Sequence, residues 1–359
     1  MQLPGVGPRA FLRIAQASVV LVVLNVVTGG AVRLTDSGLG CPDWPTCSRH
    51  HLTPPFAFHP AIEFGNRLIV VALCIGAAVA VVASLRRRPR RTDLVWLSAG
   101  LIAGVVGEAV LGGVVVYTKL NPYVVMTHFL VGIALLTDAT VLALRAGRAP
   151  GPADADLSDL RLGPPPSPPS PPSPPSPNRP ARLKVSPQTL WLSRIVVGVL
   201  ALAVVAGTAT TAAGPHAGGK GAKRLPVALA DMARVHSGIV LAAAGLTLAL
   251  LYLLVRQGAP PSVTDRGRSL LLVMVAQGVI GYIQYFSHLP ALLVGVHVLG
   301  ATVVWTAMLW FHDGLTSHRP ALRASVHGAV PTTIAELAAS AGGTAPSPVD
   351  APGDVAPAR

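Results

Sequence analysis

Two stretches of this chain decide its fold: GEAVLGGVVVYTKLNPYVVMTHFLVG at residues 107–132 and AQGVIGYIQYFSHLPALLVGVHVLG at residues 276–300. Each contains the end of one apolar segment, a short turn, and the start of another apolar segment that carries a histidine. Twenty positions separate Glu108 from His128, and twenty separate Gln277 from His297. This shared spacing indicates an internal repeat, and the repeat organises the rest of the sequence.

The repeat extends to the preceding helices of each unit. Asn66 and Arg86 are twenty positions apart, as are His236 and Arg256. The chain is 51% hydrophobic and 12% charged, with a mean hydropathy of +0.57, and its long apolar runs are typical of membrane-spanning helices. The sequence therefore predicts an all-α integral membrane protein with eight transmembrane helices, arranged as two parallel, pseudo-repeated four-helix bundles. The predicted spans are 12–32, 62–85, 94–116, 122–145, 189–212, 228–255, 268–287 and 290–312.

The basic residues give the expected orientation in the membrane. The net charge of +13 does not indicate nucleic-acid binding, because arginines and lysines are concentrated in the short connections between spans. The connections after the second, fourth and sixth spans carry most of them and are predicted to be cytoplasmic, although the oppositely placed loop 214–225 is mildly basic as well. We therefore expect a cell-membrane protein with both termini in the cytoplasm.

A proline-rich segment separates the two units. PPPSPPSPPSPPSP at residues 164–177 lacks most backbone donors and is typical of an extended polyproline spacer. We predict an N-terminal four-helix half over 1–148, a cytoplasmic linker over 149–188, a C-terminal four-helix half over 189–313 and a disordered cytoplasmic tail over 314–359.

The first connection, residues 33–61, is predicted to lie outside the cell and includes GCPDWPTC. An external loop meets an oxidising environment, so Cys41 and Cys47 are expected to form a disulfide. Two reduced thiols or a metal-binding pair remain the alternatives.

Three histidines fall inside predicted spans, about 9–12 Å from the outer ends of their helices by the helical rise per residue. A single intramembrane histidine can simply form an interhelical hydrogen bond. His236 and His297 lie at similar depth in one four-helix unit, however, which is how a bundle holds a haem between two imidazoles. Zinc is less favoured, since no further thiolate or carboxylate ligands accompany them in that half. His128 occupies the matching position in the first unit.

The first unit departs from the second at two positions. Asn66 stands where the second unit has His236, and Glu63 stands where it has Ala233. His59, Glu63 and Asn66 share one stripe of a helix. The Glu63 carboxyl is a candidate proton donor or acceptor, with an ion pair to Arg33 or Arg67, or a polar helix cap, as the alternative. The difference favours a closed cofactor haem in the second half beside a more open, reacting haem in the first.

Five motifs together resemble the haem A synthase family, and its actinobacterial branch in particular. They are TGGAVRLTDSGLGCPDWPTC, IEFGNRL, VMTHFLVG, ARVHSGI and VGVHVLG, and the resemblance covers all eight spans, from about residue 11 to residue 312. It implies a membrane oxidoreductase that converts the C8 methyl group of haem O to a formyl group, giving haem A for cytochrome c oxidase.

The resemblance also implies roles for particular residues. His236 and His297 match the iron ligands of a haem b cofactor, His128 matches a ligand of the substrate haem, and Glu63 matches a glutamate needed for activity. Cys41 and Cys47 match the paired cysteines of the family's first external loop.

One position departs from the family pattern. Many members carry histidine where this chain has Asn66, so the substrate iron has either His128 alone or His59 as a replacement ligand.

The expected partners follow from this chemistry. Haem O is expected to enter from the membrane lipid, with Arg33 and Arg67 as candidate contacts for its propionates; snorkelling of either arginine to the membrane interface is the alternative. An electron donor of unidentified nature is required, and a haem O synthase is a candidate partner. The competing hypothesis is a non-enzymatic di-haem b-type electron-transfer protein, which would need symmetrical ligation in both halves.

Overall fold

The computed structural model describes residues 5–48, 54, 56–148, 186–219 and 221–317. These ranges contain eight helices: α1 (Pro8–Leu34), α2 (Phe58–Arg86), α3 (Thr92–Tyr117), α4 (Pro122–Ala146), α5 (Pro187–Ala213), α6 (Leu229–Arg256), α7 (Pro261–Phe286) and α8 (Ala291–Ser317). All eight are long and apolar enough to cross a membrane. The predicted proline-rich linker and C-terminal tail lie outside the described residues, apart from a few residues at their edges.

Proline and small polar residues set the starts of several helices. Pro8, Pro122, Pro187 and Pro261 occupy the first turns of their helices, where the missing amide proton has no cost. Most boundaries lie within a few residues of the predicted spans. The largest difference is α7, which begins at Pro261 and not at residue 268. Its first two turns include charged residues, so hydropathy alone places the start too late.

The helices form two four-helix groups, as the repeat predicts. Helices α1–α4 pack in a ring in which each touches the next and α1 touches α4, and α5–α8 repeat that arrangement. The α3–α4 and α7–α8 turns also share an unusual backbone: Lys119 and Leu120 have positive φ angles, and so do His288 and Leu289. The all-α membrane fold with two repeated bundles is therefore confirmed.

Helices α1 and α4 face α5 and α8 across the junction between the bundles. In the middle of this junction the Trp305 indole Nε1 donates to the Thr137 hydroxyl at 2.8 Å. At one end, Arg148 forms an ion pair with Asp313. The other end, here named the loop end, carries the α1–α2, α3–α4, α5–α6 and α7–α8 connections. There Arg33 donates to the backbone oxygens of Thr211 and His216 at 2.9 and 2.7 Å.

Large apolar side chains cover the outward surfaces of both bundles. Trp96 is 73% exposed, and Leu272 is 70% exposed. Such exposure is unfavourable in water but expected for helices surrounded by lipid. The molecule is thus a multi-pass membrane protein.

The hydrogen bond between Trp305 and Thr137 is expected to stabilise the junction. Trp305→Phe should lower the free energy of unfolding by about 0.5–1.5 kcal/mol, because the Thr137 hydroxyl loses its donor inside the membrane. Thermal unfolding of the purified protein in detergent measures this change. Trp96→Phe, on the lipid-facing surface, is the matched control and should have little effect. Thr137→Val should not add to Trp305→Phe, and fully additive effects would contradict the assigned contact.

Candidate functional site

The C-terminal bundle brings His236 of α6 and His297 of α8 together. Their ring centroids are 6.4 Å apart with an interplanar angle of 73°. The Nδ1 atom of His236 lies 2.9 Å from the Ala203 carbonyl oxygen, which orients that ring and leaves its Nε2 free. The Nδ1 atom of His297 is buried and has no hydrogen-bond partner among the described residues.

Glycines allow the neighbouring helices to approach both rings closely. A Cβ atom on Gly207 would lie 3.0 Å from the His236 ring, and one on Gly281 would lie 3.1 Å from the His297 ring. Both distances are shorter than ordinary carbon contacts, so a side chain at either position would push the imidazole away. The backbone of α5 and α7 thus fixes where the two histidines can lie.

This pair fits a metal held between two imidazoles. Imidazole nitrogens bind metals at about 2 Å, which places the centroids of two opposed rings about 6 Å apart. In the described part of the chain, no group of three or more His, Cys, Asp or Glu side chains could hold a metal ion. A four-coordinate zinc site therefore lacks its usual ligands, and a haem iron between His236 and His297 fits the residues present.

Asn66 occupies the equivalent of the His236 position in the N-terminal bundle. Its amide Nδ2 donates to the Thr28 hydroxyl on α1 at 2.9 Å. A Cβ atom on Gly29 would lie 3.8 Å from this amide, so Gly29 faces Asn66 as Gly207 faces His236. The geometry of the repeat is kept, while the side chain is held by α1.

His128 occupies the equivalent of the His297 position and has a partner that the sequence reasoning missed. Its Nδ1 atom lies 2.8 Å from the Oε2 atom of Glu108 on α3. The two atoms are at hydrogen-bond distance, but the imidazole N–H is not aligned with the carboxylate oxygen. A Cβ atom on Gly112 would lie 3.8 Å from Cε1 of His128, so Gly112 faces this ring as Gly281 faces the ring of His297. The sequence could have identified Glu108 as a functional candidate, because it is a carboxylate inside a predicted span and the second unit has Gln277 at the matching position.

Glu63 is buried, with both carboxylate oxygens engaged. Oε1 forms an ion pair with the Arg67 guanidinium at 2.5 Å, and Oε2 accepts a hydrogen bond from the Cys41 amide at 2.8 Å. Arg67 in turn donates to the backbone oxygens of Asp43, Pro45 and Thr46. The ion pair between Glu63 and Arg67, which the sequence offered as the alternative to a role in proton transfer, is present, and the two residues attach the α1–α2 loop to the start of α2.

His59 lies near the loop end of α2 and is exposed to solvent. Its Nδ1 atom lies 3.0 Å from the Ser37 hydroxyl. Seven residues separate His59 from Asn66, which corresponds to about 10 Å along the helix axis. The structure therefore brings His59 to the loop and not to the level of His128.

The predicted disulfide between Cys41 and Cys47 is confirmed. The loop that it closes covers the N-terminal bundle from α2 to α3. A Cβ atom on Gly113 would lie 3.0 Å from the Trp44 indole, and the Tyr117 hydroxyl donates to the Trp44 carbonyl oxygen at 3.1 Å. Gly113 directly follows Gly112, so Trp44 lies over the helix that faces His128.

Arg33, the other candidate for a propionate contact, lies across the junction at the loop end. Its guanidinium binds the two α5–α6 carbonyl oxygens described above, so it connects the bundles. Asp138, on α4, is ten positions beyond His128, about 15 Å along the helix axis. Its Oδ2 atom is buried without a hydrogen-bond partner in the described structure.

Comparison with known proteins places this architecture in a family. The chain is 35% identical over 130 residues to the "Heme A synthase" of Geobacillus kaustophilus, an alignment that spans 35% of this chain and 40% of that protein. It is 35% identical over 135 residues to the "Heme A synthase" of Geobacillus thermodenitrificans, spanning 36% and 42% respectively. The chain thus aligns with less than half the length of these relatives.

The profile of the COX15-CtaA family, described as "Cytochrome oxidase assembly protein", matches residues 13–59 and 53–309. Together these matches run through the eight helices, from α1 into α8. The chain belongs to the COX15-CtaA family of cytochrome oxidase assembly proteins.

Proposed function

We propose that this chain is a haem A synthase, which oxidises the C8 methyl group of haem O to a formyl group. The product, haem A, would serve cytochrome c oxidase. Membership of a cytochrome oxidase assembly family and partial similarity to proteins named heme A synthase support the assignment. The observation that carries it is the difference between the bundles: one has two facing imidazoles, and the other has one imidazole in contact with the buried Glu108 and a second buried carboxylate, Glu63, beneath the loop.

The reaction sets the demands on the protein. Conversion of the methyl group through a hydroxymethyl group follows the balance R–CH3 + H2O → R–CHO + 4 H⁺ + 4 e⁻. With dioxygen as the final acceptor, the overall balance is R–CH3 + O2 → R–CHO + H2O. The site must therefore hold the porphyrin, keep one iron face open and move protons away from the reacting carbon.

The N-terminal half, residues 1–148, is proposed to bind haem O. His128 is the proposed iron ligand, because Nδ1 faces Glu108 and Nε2 is left to face the iron. Asn66 donates its amide to Thr28 and has no imidazole to offer, and His59 is engaged near Ser37. These contacts support a substrate iron with His128 as its single protein ligand.

Glu63 is the proposed proton-handling residue. It lies one helical turn toward the loop end from Asn66, directly beneath the disulfide-closed loop, with its charge balanced by Arg67. A buried carboxylate in this position can accept protons released from the reacting carbon and pass them toward the loop end. Arg67, held by the loop carbonyl oxygens, completes the cover over the site.

The C-terminal half, residues 189–313, is proposed to hold haem b between His236 and His297. When bound there, haem b supplies one-electron transfer to or from the substrate site. The chain's own residues fix the ring positions, through the Ala203 carbonyl oxygen and the close approach of Gly207 and Gly281. The difference in ligands between the two halves speaks against the alternative, a non-enzymatic di-haem electron carrier, which would need equivalent ligation in both.

The proposed orientation places the loop end outside the cell. Arginines are concentrated at the opposite end, in the connections after α2, α4 and α6, as expected for the cytoplasmic side. Both termini are then cytoplasmic, together with the linker over 149–188. A haem O synthase is the proposed source of the substrate. An external electron donor is required where each oxygenation step uses its own dioxygen, as in R–CH3 + O2 + 2 H⁺ + 2 e⁻ → R–CH2OH + H2O.

The function is tested by extracting haem from membranes that contain the full chain together with a haem O supply. Under aerobic conditions we expect chromatography to reveal haem A or its hydroxymethyl precursor. Stoichiometric haem b with unconverted haem O, under conditions in which reductant and dioxygen are both verified, would favour the electron-carrier hypothesis.

Glu63→Gln should lower product formation by about 100-fold or more, a typical cost of losing a general acid or base. The amide can still accept from the Cys41 amide, so the change removes the charge and keeps the loop contact. Haem b content should stay at the wild-type level.

Tyr117→Phe is the matched control, since it removes a loop contact on the other side without touching a carboxylate. It should cost far less activity than Glu63→Gln. Full activity of Glu63→Gln would show that Glu63 only anchors the loop.

His59→Ala should leave the absorption spectrum of bound haem O unchanged, because His59 faces Ser37 and lies about 10 Å along α2 from the level of Asn66. His128→Ala should change that spectrum or abolish binding. The comparison is made in reduced and oxidised samples. A spectral change in His59→Ala, with the loop disulfide intact, would instead make His59 an iron ligand.

A further inference from the structure

Glu108 is a buried carboxylate whose one close charged contact in the described structure is His128. The residue is 5% exposed, and its Oε2 atom lies 2.8 Å from the imidazole Nδ1. Its Oε1 atom is buried without a hydrogen-bond partner in the part of the chain that is described. Burying a carboxylate inside a membrane protein is costly unless it is paired. The presence of this carboxylate beside His128 therefore indicates a function.

The repeat provides an internal comparison. Gln277 occupies the Glu108 position in the C-terminal bundle, and its Nε2 atom donates to the His297 backbone oxygen at 2.7 Å. Glutamine thus suffices to connect α7 with α8 in that bundle. At position 108 the side chain has nearly the same length, but it carries a charge and is directed at the imidazole itself. A bridge between helices does not require that charge.

We propose that Glu108 is a positioning residue for the substrate iron ligand: its carboxylate, 2.8 Å from Nδ1 of His128, accepts the Nδ1–H once Nε2 holds the iron, and makes that imidazole a stronger electron donor through Nε2. A carboxylate behind a metal-bound histidine fixes the tautomer and ring orientation and raises ligand basicity. The inference rests on the proposed function, since it assumes that His128 binds the haem O iron. It goes further by assigning the electronic character of that ligand to a residue on another helix.

The difference in ligands between the two bundles explains why a carboxylate lies beside His128 and not beside His236 or His297. In the C-terminal bundle, two imidazoles share the iron and neither Nδ1 faces a carboxylate, since His236 faces the Ala203 oxygen and His297 has no partner among the described residues. In the N-terminal bundle, one imidazole acts without an opposing histidine. Its donor strength therefore sets the properties of the iron on its open face.

The test is resonance Raman spectroscopy of the full-length protein with ferrous haem O bound, which reports the stretching frequency of the bond between iron and the His128 nitrogen. The band is assigned by its loss in His128→Ala. Glu108→Gln should lower this frequency and move the reduction potential of the bound haem O to a more positive value. The neutral amide lacks the negative charge that makes the imidazole a stronger electron donor. Product formation should fall by about 10- to 100-fold.

Gln277→Glu is the matched control, since it exchanges the same two side chains in the other bundle. It should leave the band assigned to His128 unchanged. Glu108→Asp retains the carboxylate one carbon further from the ring and should give an intermediate frequency, and it carries the test if Glu108→Gln fails to accumulate.

A wild-type frequency in both Glu108 variants, with haem O bound at the wild-type level, would overturn the positioning role even if haem A is still produced. A lowered frequency in a protein that makes no haem A under any condition would retain the Glu108 contact and overturn the proposed function. The two failures are therefore distinguishable.

Discussion

The cost of placing polar side chains among lipid-facing helices governs this structure. The four positions that the repeat pairs, 66 with 236 and 128 with 297, lie six to eight residues from the loop end of their helices, as in the six from Pro122 to His128. The fixed helical rise then brings them to similar depth, about 9–12 Å from that end. At that depth water is not available as a partner, so each side chain needs another helix. The two bundles meet this need at equivalent positions and with different chemistry.

Glycine makes the arrangement possible. Gly207 and Gly281 meet the two imidazoles of the C-terminal bundle, and Gly29 and Gly112 occupy the corresponding places in the other. The repeat has therefore preserved the glycines that face these side chains, while the side chains at positions 63, 66 and 108 differ between the bundles. On the proposed function, these three residues distinguish the proposed reacting site from the proposed electron-transfer site.

The sequence predicted the eight helices and the repeat because apolar length and a twenty-residue spacing are local properties of the chain. It also predicted the disulfide, from the expected external position of its loop, and the proximity of His236 and His297, from their similar depth in one bundle. It could not predict the contact between Glu108 and His128, because that contact depends on the rotation of α3 against α4. The loop contacts of Arg33 and Arg67 were missed for a similar reason: their partners are backbone oxygens, and any sequence provides those.

Asn66 shows how the proposed division of work arises. An iron with imidazoles on both faces has no free position, and such a site is suited to electron transfer alone. Asn66 donates its amide to Thr28, so on the proposed function one face of the substrate iron would lack a protein ligand. A free face would also admit unwanted reactants, and the disulfide-closed loop answers this problem, since Glu63, Arg67 and Trp44 attach it over the same bundle. In the proposed enzyme, the open iron face admits the reactant, and the closed loop keeps bulk water away from it.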